Sequence, residues 1–576
     1  VIKTITAKAV HYSRKLTIFY KTKNAQKWGY RVLLIVSVIL LFGTTLYGAV
    51  ESGKYFSISS DAIVDPYLFA NGLHRHTIVL PDQHTNILKL PLFYLEGNIP
   101  YHYLTLVTIS SLLVVVSVVA WAYLLIYIFG KRYTILILAL LSALMFSSAL
   151  LNINLGETTV RNIEFPISLW FIIIINRVLM GLKRDRKANI FFGIGCILYC
   201  LVVAGDNYFE YAISLPILLV LIWYWVQSRT FSIQMFKASS LVVVTSLIAV
   251  LIKLLLIKTG IIVTFKSAIP PLVTYNNLWP SITTAVNQFL GLQGASIFDT
   301  SATIHTFAIF VNFALIIVGI VGFILILRHA NTHYRDHRRL TENNSFLFTT
   351  GAVSFFTVFW VYVLSGEVVQ TLSNGQVVSL GQIRYIAFLP FLLLISVIWV
   401  IRNYYSNHRL LMALVIAVSF MEVATTYSTQ KAFYADTIMA TTPTKATLST
   451  IVVDLHKDKV SEVVTGYWYG ATVRFWSHDT IDFAPIDSCN IPFNFNVRED
   501  WYQPRNGEKT ALIVDRSGPD ASYWAGCSSQ TLTALYGMPV KQQEVSDPTT
   551  QENLSIWVYN YDVRSRLQPY PVEPGQ

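Results

Sequence analysis

The sequence predicts a polytopic α-helical membrane domain of about eleven transmembrane helices, followed by an extracytoplasmic soluble domain of α/β or α+β type. Three observations predict it. Of 576 residues, 54% are hydrophobic and only 13% are charged, against about 25% charged in an ordinary soluble domain. Eleven stretches are apolar over about the 20 residues that a membrane-crossing helix needs. The charge is also divided: residues 429–576 carry 12 Lys+Arg against 17 Asp+Glu, whereas 1–428 carry 31 against 15. A soluble cytosolic enzyme, a disordered chain and a disulfide-stapled secreted module are excluded by this composition.

Residues 1–29 form a basic cytoplasmic segment, 30–428 the membrane domain, and 429–576 a soluble domain long enough to bury its own core. The spans are read at 30–50, 104–130, 133–152, 162–181, 190–206, 209–228, 238–257, 306–328, 345–365, 384–402 and 409–427. The first is read as a retained anchor, because its basic lead is long, its apolar run is full length and no small-x-small site follows. No period of 20–50 residues repeats, so a solenoid is not indicated.

Orientation follows from basic residues, which stay on the cytoplasmic side. Placing the N-terminus inside brings Lys131-Arg132, the 183–187 cluster, Arg328, Arg335 to Arg339, Arg402 and Arg409 inside as well. An odd number of spans then leaves the acidic tail outside. The net charge of +11 is therefore mainly a cytoplasmic rim and no nucleic-acid footprint. The expected location is the plasma membrane.

Ionisable residues gather on the outer side. The first outer segment, 51–103, runs Ser59-Ser60-Asp61-Ala62-Ile63-Val64-Asp65-Pro66, then His74-Arg75-His76, Pro81-Asp82-Gln83-His84 and Lys89-Leu90-Pro91. Apolar residues at 87, 88, 90, 92, 93 and 95 predict a helix in the interface. Glu157, Arg161 and Glu164 join the third and fourth spans, Asp206 and Glu210 the fifth and sixth, and Arg384-Tyr385 opens the tenth. Ionisable groups at membrane depth are costly and mark function by default, so together they predict a polar cavity at the outer boundary. The second long outer segment, 259–305, contains Pro270-Pro271 and Trp279-Pro280. Its middle is read as an amphipathic helix on the membrane, a cover or a gate over the cavity.

The arrangement of roughly residues 30–400 resembles the GT-C class of polyprenyl-phosphate-sugar-dependent glycosyltransferases, with protein O-mannosyltransferases and lipid A aminoarabinose transferases nearest in pattern. The resemblance rests on a long acidic loop after the first span, the Lys89-Leu90-Pro91 element before the second, and Arg384-Tyr385 with Pro390 in a late span. It implies that an acidic residue early in the first loop is the catalytic base. Asp61 and Asp65 are the candidates, and the family's adjacent acidic pair is missing, so the choice stays open. It further implies that Arg384 and Tyr385 serve the phosphate of the donor, with Lys89 in the family's Lys-Pro element.

The chemistry stands without the family. A lipid-phosphate donor has a good leaving group, so no general acid is required, while the acceptor hydroxyl needs one carboxylate base. The departing phosphate needs fixed cations, and guanidinium groups suit that role. Arg161 is a second phosphate candidate. His84, Asp206 and Glu210 are candidates for acceptor or sugar contacts. Each has a plainer alternative: Asp61 a helix N-cap, Asp65 a turn, Arg384 an interfacial Arg reaching water, Arg161 an ion-pair triad with Glu157 and Glu164, and Asp206 and Glu210 local pairing or capping. The set His74, His76, Asp82 and His84 has the residue types of metal ligands at the spacing of no strong motif. A divalent cation is left open as a cofactor, and no metal site is assigned.

Residues 446–462 read as helix, and 462–467, 471–476, 511–514 and 554–559 as strands. The aromatics Trp468, Tyr469, Trp476, Trp501, Tyr523 and Trp524 form a core or, alternatively, stack on sugar rings. Cys489 and Cys527 lie in the exported tail, where oxidation is allowed, and are the disulfide candidates; Cys196 and Cys200 are packing residues within a span. The preferred reading is a membrane glycosyltransferase, with a polyprenyl-phosphate-linked sugar donor, membrane lipids and an outer-face acceptor (protein, lipid or glycan) as partners. The alternative is a non-enzymatic lipid or polysaccharide transporter, or a membrane-anchored binding protein. The lack of internal symmetry and the outer, not mid-membrane, position of the polar residues favour the enzyme.

Overall fold

The computed structural model describes residues 23–56, 78–81, 87–92, 103–156, 161–181, 186–259, 262–265, 272–295, 304–335, 340, 342–366, 368–371, 377–379, 383–404, 413, 415–424, 426–427, 431, 445–478, 480–493, 497, 499–517, 520–547 and 553–570. The helices of the membrane domain are α1 (Lys23–Phe56), α2 (Tyr103–Phe129), α3 (Thr134–Ser147), α4 (Ala149–Gly156), α5 (Glu164–Leu179), α6 (Arg186–Gly205), α7 (Leu215–Ser228), α8 (Ile233–Lys258), α9 (Tyr275–Leu292), α10 (Ile304–Arg335), α11 (Ser345–Leu364) and α12 (Leu389–Tyr404). The chain is a multi-pass, mostly helical membrane protein. Among the described residues, eight helices are long and apolar enough to cross a membrane. The other three expected stretches depart from a straight span. The third is bent by 92° between α3 and α4, the fourth is the 16-residue α5, and the last is represented by the short helix Val415–Ala424.

The irregular points have local causes. Ser148 sits in extended backbone between α3 and α4. Its hydroxyl donates to the Gly291 carbonyl (3.1 Å) and accepts the Leu151 N–H (3.0 Å), so it ends one helix and caps the next. The sixth span opens with a π-helical turn, Glu210–Ser214. Pro216 has no N–H to give the carbonyl of Ala212, and the Ser354 hydroxyl donates to that carbonyl instead.

Burial separates the axis of the bundle from its rim. Every residue from Leu389 to Ile401 of α12 is buried, whereas α8 exposes Leu247, Leu251, Leu254 and Leu255. Such a face calls for apolar surroundings, as a bilayer supplies. The two segments expected outside meet in a parallel pair, β1 (Ile78–Pro81) with β2 (Ile262–Phe265). The helix expected in the middle of 259–305 is α9. It buries Ser281, Ala285, Phe289 and Leu292 on one face and exposes Tyr275 and Trp279. Ser281 donates to the Val363 carbonyl at 2.5 Å and Tyr362 to Gln288 Oε1 at 2.7 Å, so α9 is fastened to the end of α11. A short hairpin, β3 (Val369–Thr371) with β4 (Val377–Ser379), follows. Of the helix expected near residue 90, the described part is the 3-10 turn Ile87–Lys89 followed by helical residues 90–92, and residues 93–95 lie outside the described residues.

The tail has its own hydrophobic core, from Ile451 to Val563. After α13 (Lys445–Lys457), six strands form a mixed sheet: β5 (Glu462–Thr465), β6 (Asp482–Ser488), β7 (Ile491–Pro492), β8 (Thr510–Asp515), β9 (Lys541–Ser546) and β10 (Asn553–Tyr559), in the order β7-β6-β5-β8-β10-β9. Strand β5 is parallel to β6 and to β8, and the remaining pairs are antiparallel. One expectation is corrected. Residues 471–476, read as a strand, belong to helix α14 (Tyr467–Trp476). Parallel neighbours need a crossover, and this apolar run supplies it, buried on β6. Its first turn is capped from a distance, because the Asp520 carboxylate accepts the N–H groups of Trp468 (3.2 Å) and Tyr469 (2.9 Å). A side chain at Gly466 would collide with that carboxylate. Tyr469, Trp501 and Trp524 are buried, and Trp468, Trp476 and Tyr523 are partly buried against the same core. Cys489 and Cys527 form a disulfide with Cα atoms 5.4 Å apart.

Candidate active site at the outer loops

Four segments distant in sequence converge. Lys89 comes from the segment between α1 and α2, Arg161 from the turn before α5, Glu164 from the start of α5, Asp206 and Tyr208 from the turn after α6, and Arg384 and Tyr385 from the 3-10 turn Ile383–Ile386 before α12. Two buried ion pairs organise them. Lys89 Nζ lies 3.1 Å from Glu164 Oε1, the side chains being 0% and 6% exposed. Glu164 Oε2 also accepts the Asn162 N–H at 2.9 Å. Arg161 meets Asp206 through both carboxylate oxygens, Nε to Oδ2 at 2.6 Å and Nη2 to Oδ1 at 3.1 Å.

The arginine is also held by aromatic faces. Its guanidinium carbon lies 4.2 Å from the centroid of the Tyr208 ring and 4.7 Å from that of Tyr385, within cation–π range. Asp206 Oδ1 accepts the Tyr208 N–H at 2.9 Å, and the Tyr208 hydroxyl donates to the Tyr385 carbonyl at 3.0 Å. Asp206, Arg161 and Tyr208 thus fix the backbone of Tyr385, and with it the residue before, Arg384. The Arg384 guanidinium lies 5.7 Å from the Tyr385 ring and is partly exposed.

Electrostatics agree with the geometry. Burial pushes the Lys89 ammonium below its ordinary range, against the opposing pull of Glu164. For Arg161 burial works downward as well, but Asp206, Tyr385 and Tyr211 together outweigh it and the net direction is up. An unpaired charge this deep would be strongly unfavourable.

The structure brings Lys89, Arg161, Asp206, Arg384 and Tyr385 together. It gives Arg161 and Glu164 different partners from the local triad considered above. Glu210 is turned elsewhere, its Oε2 accepting the Ser246 hydroxyl of α8 at 3.0 Å. Asp61, Asp65, His84 and Glu157 lie outside the described residues. No group of three or more metal-ligating side chains occurs among the described residues. Sequence reasoning did not single out Tyr208, which both stacks on Arg161 and grips Tyr385; its only signal was its place two residues after Asp206.

No protein-family model and no curated protein matches the chain. Among solved structures it is similar to the crystal structure of ArnT from Cupriavidus metallidurans bound to undecaprenyl phosphate, with 11% identity, a TM-score of 0.48, and 92% of this chain and 98% of that one covered. It is also similar to the apo state of the same protein, with 11% identity, a TM-score of 0.44, and 94% and 100% covered.

Proposed function

We propose that the chain is an integral-membrane glycosyltransferase that moves a sugar from a polyprenyl-phosphate donor to an acceptor on the outer face. The observation that supports this reading best is the convergence just described: the Arg384-Tyr385 pair is held by Arg161 and Tyr208, from two inter-helix turns, at one end of α12. In this reading Arg384 receives the donor phosphate, where a planar guanidinium offers two parallel donors to two phosphate oxygens. Arg161 is a positioning residue, already engaged by Asp206, that stacks on Tyr385 and holds the turn. Lys89 and Glu164 tie the first outer segment to the same place.

The base is Asp61 or Asp65. It removes the proton of the acceptor hydroxyl as that oxygen attacks the anomeric carbon. The bond from that carbon to the phosphate oxygen breaks on the opposite face, and the lipid phosphate leaves with the electron pair. A single displacement of this kind inverts the anomeric centre. The N-terminus lies in the cytoplasm and the sheet-containing tail outside, as the basic residues direct. The test is incubation of the purified protein with labelled polyprenyl-phosphate sugars and an acceptor extract. Release of free polyprenyl phosphate together with transfer of label supports the reading; movement of an intact lipid-linked sugar without cleavage favours a transporter.

A further inference from the structure

A cavity lies at the other end of α12. Arg384 and Tyr385 precede this helix, and Trp399, Arg402 and Asn403 close it; 16 residues at 1.5 Å each put the two ends about 24 Å apart. The end of α10, the start of α11 and the end of α12 enclose about 340 Å³, within the usual range of small-molecule sites. Arg402, His329, Asn403, Ser345 and Thr349 supply its polar wall, and no carboxylate lines it among the described residues. Ser345 is the first residue of the 20-residue α11, so the positive end of that helix lies at the wall. His329 is held in place between two rings, 5.7 Å from His333 and 6.3 Å from Trp399. Phe348 and Trp399 add an apolar side.

We infer that this cavity binds a phosphate group, carried either by the headgroup of a phospholipid in the cytoplasmic leaflet or by a soluble phosphorylated molecule. A guanidinium, an imidazole, a side-chain amide and a helix N-terminus converge on it, and each suits an anionic oxygen. A cation would meet Arg402 with no carboxylate among the described lining residues to offset it. Basic residues on a cytoplasmic rim are ordinary; their placement in a cavity together with a helix N-terminus, with no carboxylate among the described lining residues, is what points to a ligand. Nothing here depends on glycosyl transfer at the opposite end of α12.

The experiment is calorimetric titration of the full chain in detergent with dioctanoylphosphatidic acid and, separately, with glycerol 3-phosphate. The variants are Arg402→Gln and, at an exposed position that tolerates substitution, Asn403→Asp. Saturable binding of either probe is expected, weakened about tenfold or more in both variants as a charge-assisted hydrogen bond is lost or an anion is set against the phosphate. Binding of the lipid alone identifies a headgroup site, and equal binding of glycerol 3-phosphate identifies a soluble ligand. Binding unchanged in both variants, or no saturable binding of either probe, overturns the inference.

Discussion

Replacing Asp206 by alanine tests the organisation of the outer site most sharply. The Arg161 and Asp206 side chains are 5% and 6% exposed, so water cannot replace the lost carboxylate. The variant leaves a guanidinium buried without its counter-charge, and it removes the acceptor of the Tyr208 N–H. Breaking a buried pair in this way costs about 3–5 kcal/mol. Asp206→Asn keeps an oxygen for Tyr208 but also removes the counter-charge of Arg161, so it is expected to cost somewhat less than Asp206→Ala while remaining above the range of a surface pair. The double variant Arg161→Leu with Asp206→Leu removes both charges and is expected to be less damaged than Asp206→Ala alone, because no uncompensated charge remains. Equilibrium unfolding in mixed micelles, followed by tryptophan fluorescence, measures all three. A loss below about 1 kcal/mol for Asp206→Ala would be the behaviour of a surface pair and would refute the buried clamp. A double variant as damaged as Asp206→Ala, or more so, would refute the coupling.

Other outcomes follow from the same structure. Arg384→Lys keeps the charge but loses the bidentate fork, so turnover of a polyprenyl-phosphate sugar is expected to fall at least about tenfold while the unfolding midpoint stays put; unchanged turnover would remove Arg384 from the phosphate. Reducing or mutating the Cys489–Cys527 bridge, separated by 38 residues, is expected to cost the tail about 4 kcal/mol by the chain-entropy relation, read as a lower tail-unfolding midpoint. The tail also has an acid signature. Burial raises the Asp562 carboxyl, but the Arg564 side chain and the N–H groups of Arg505 and Arg564 bring the net direction below its ordinary 3.8. A depressed folded-state pKa contributes stability above 3.8 that is lost as pH falls through the lower folded value, so Asp562→Asn is expected to flatten the stability–pH curve in that acid window. Glu462 has the opposite sign. Burial pushes it well above its ordinary 4.5, against Arg564 and with Asp482 and Asp562 adding to the rise. Its contribution is therefore greatest in acid and declines as pH climbs above 4.5 toward the folded value, a decline that Glu462→Gln should abolish.

Much of the membrane domain was legible because lipid forces it to be: a backbone in hydrocarbon must be helical and its side chains apolar, and eight of the expected stretches correspond to described helices long and apolar enough to cross. What was not legible is tertiary. The 92° break after Ser147 depends on a serine bonded to Gly291, a residue far along the chain. The run Tyr467–Trp476 is apolar and aromatic enough to pass for a strand, and only the need for a crossover between parallel neighbours makes it a helix. At the candidate site, sequence picks out Lys89, Arg161, Asp206 and Arg384 as outer-face ionisable residues, since such residues are scarce there. Their pairing is invisible to it. Arg161 takes its partner 45 positions away in Asp206, not from the neighbouring glutamates, and Glu164 turns to Lys89. Glu210 has the same residue type and nearly the same position as Asp206, yet one helical turn directs it to α8.

The central claim is that a carboxylate in the first outer loop activates an acceptor against a lipid-phosphate sugar. The direct measurement is single-turnover transfer from a labelled polyprenyl-phosphate sugar by the wild type and by the Asp61→Asn, Asp65→Asn double variant, with circular dichroism to verify folding. The expected result is transfer with inversion and release of polyprenyl phosphate by the wild type, and a fall of about 10²–10⁴-fold in the variant, the usual worth of a general base. Turnover at the wild-type rate in the folded double variant would contradict the account.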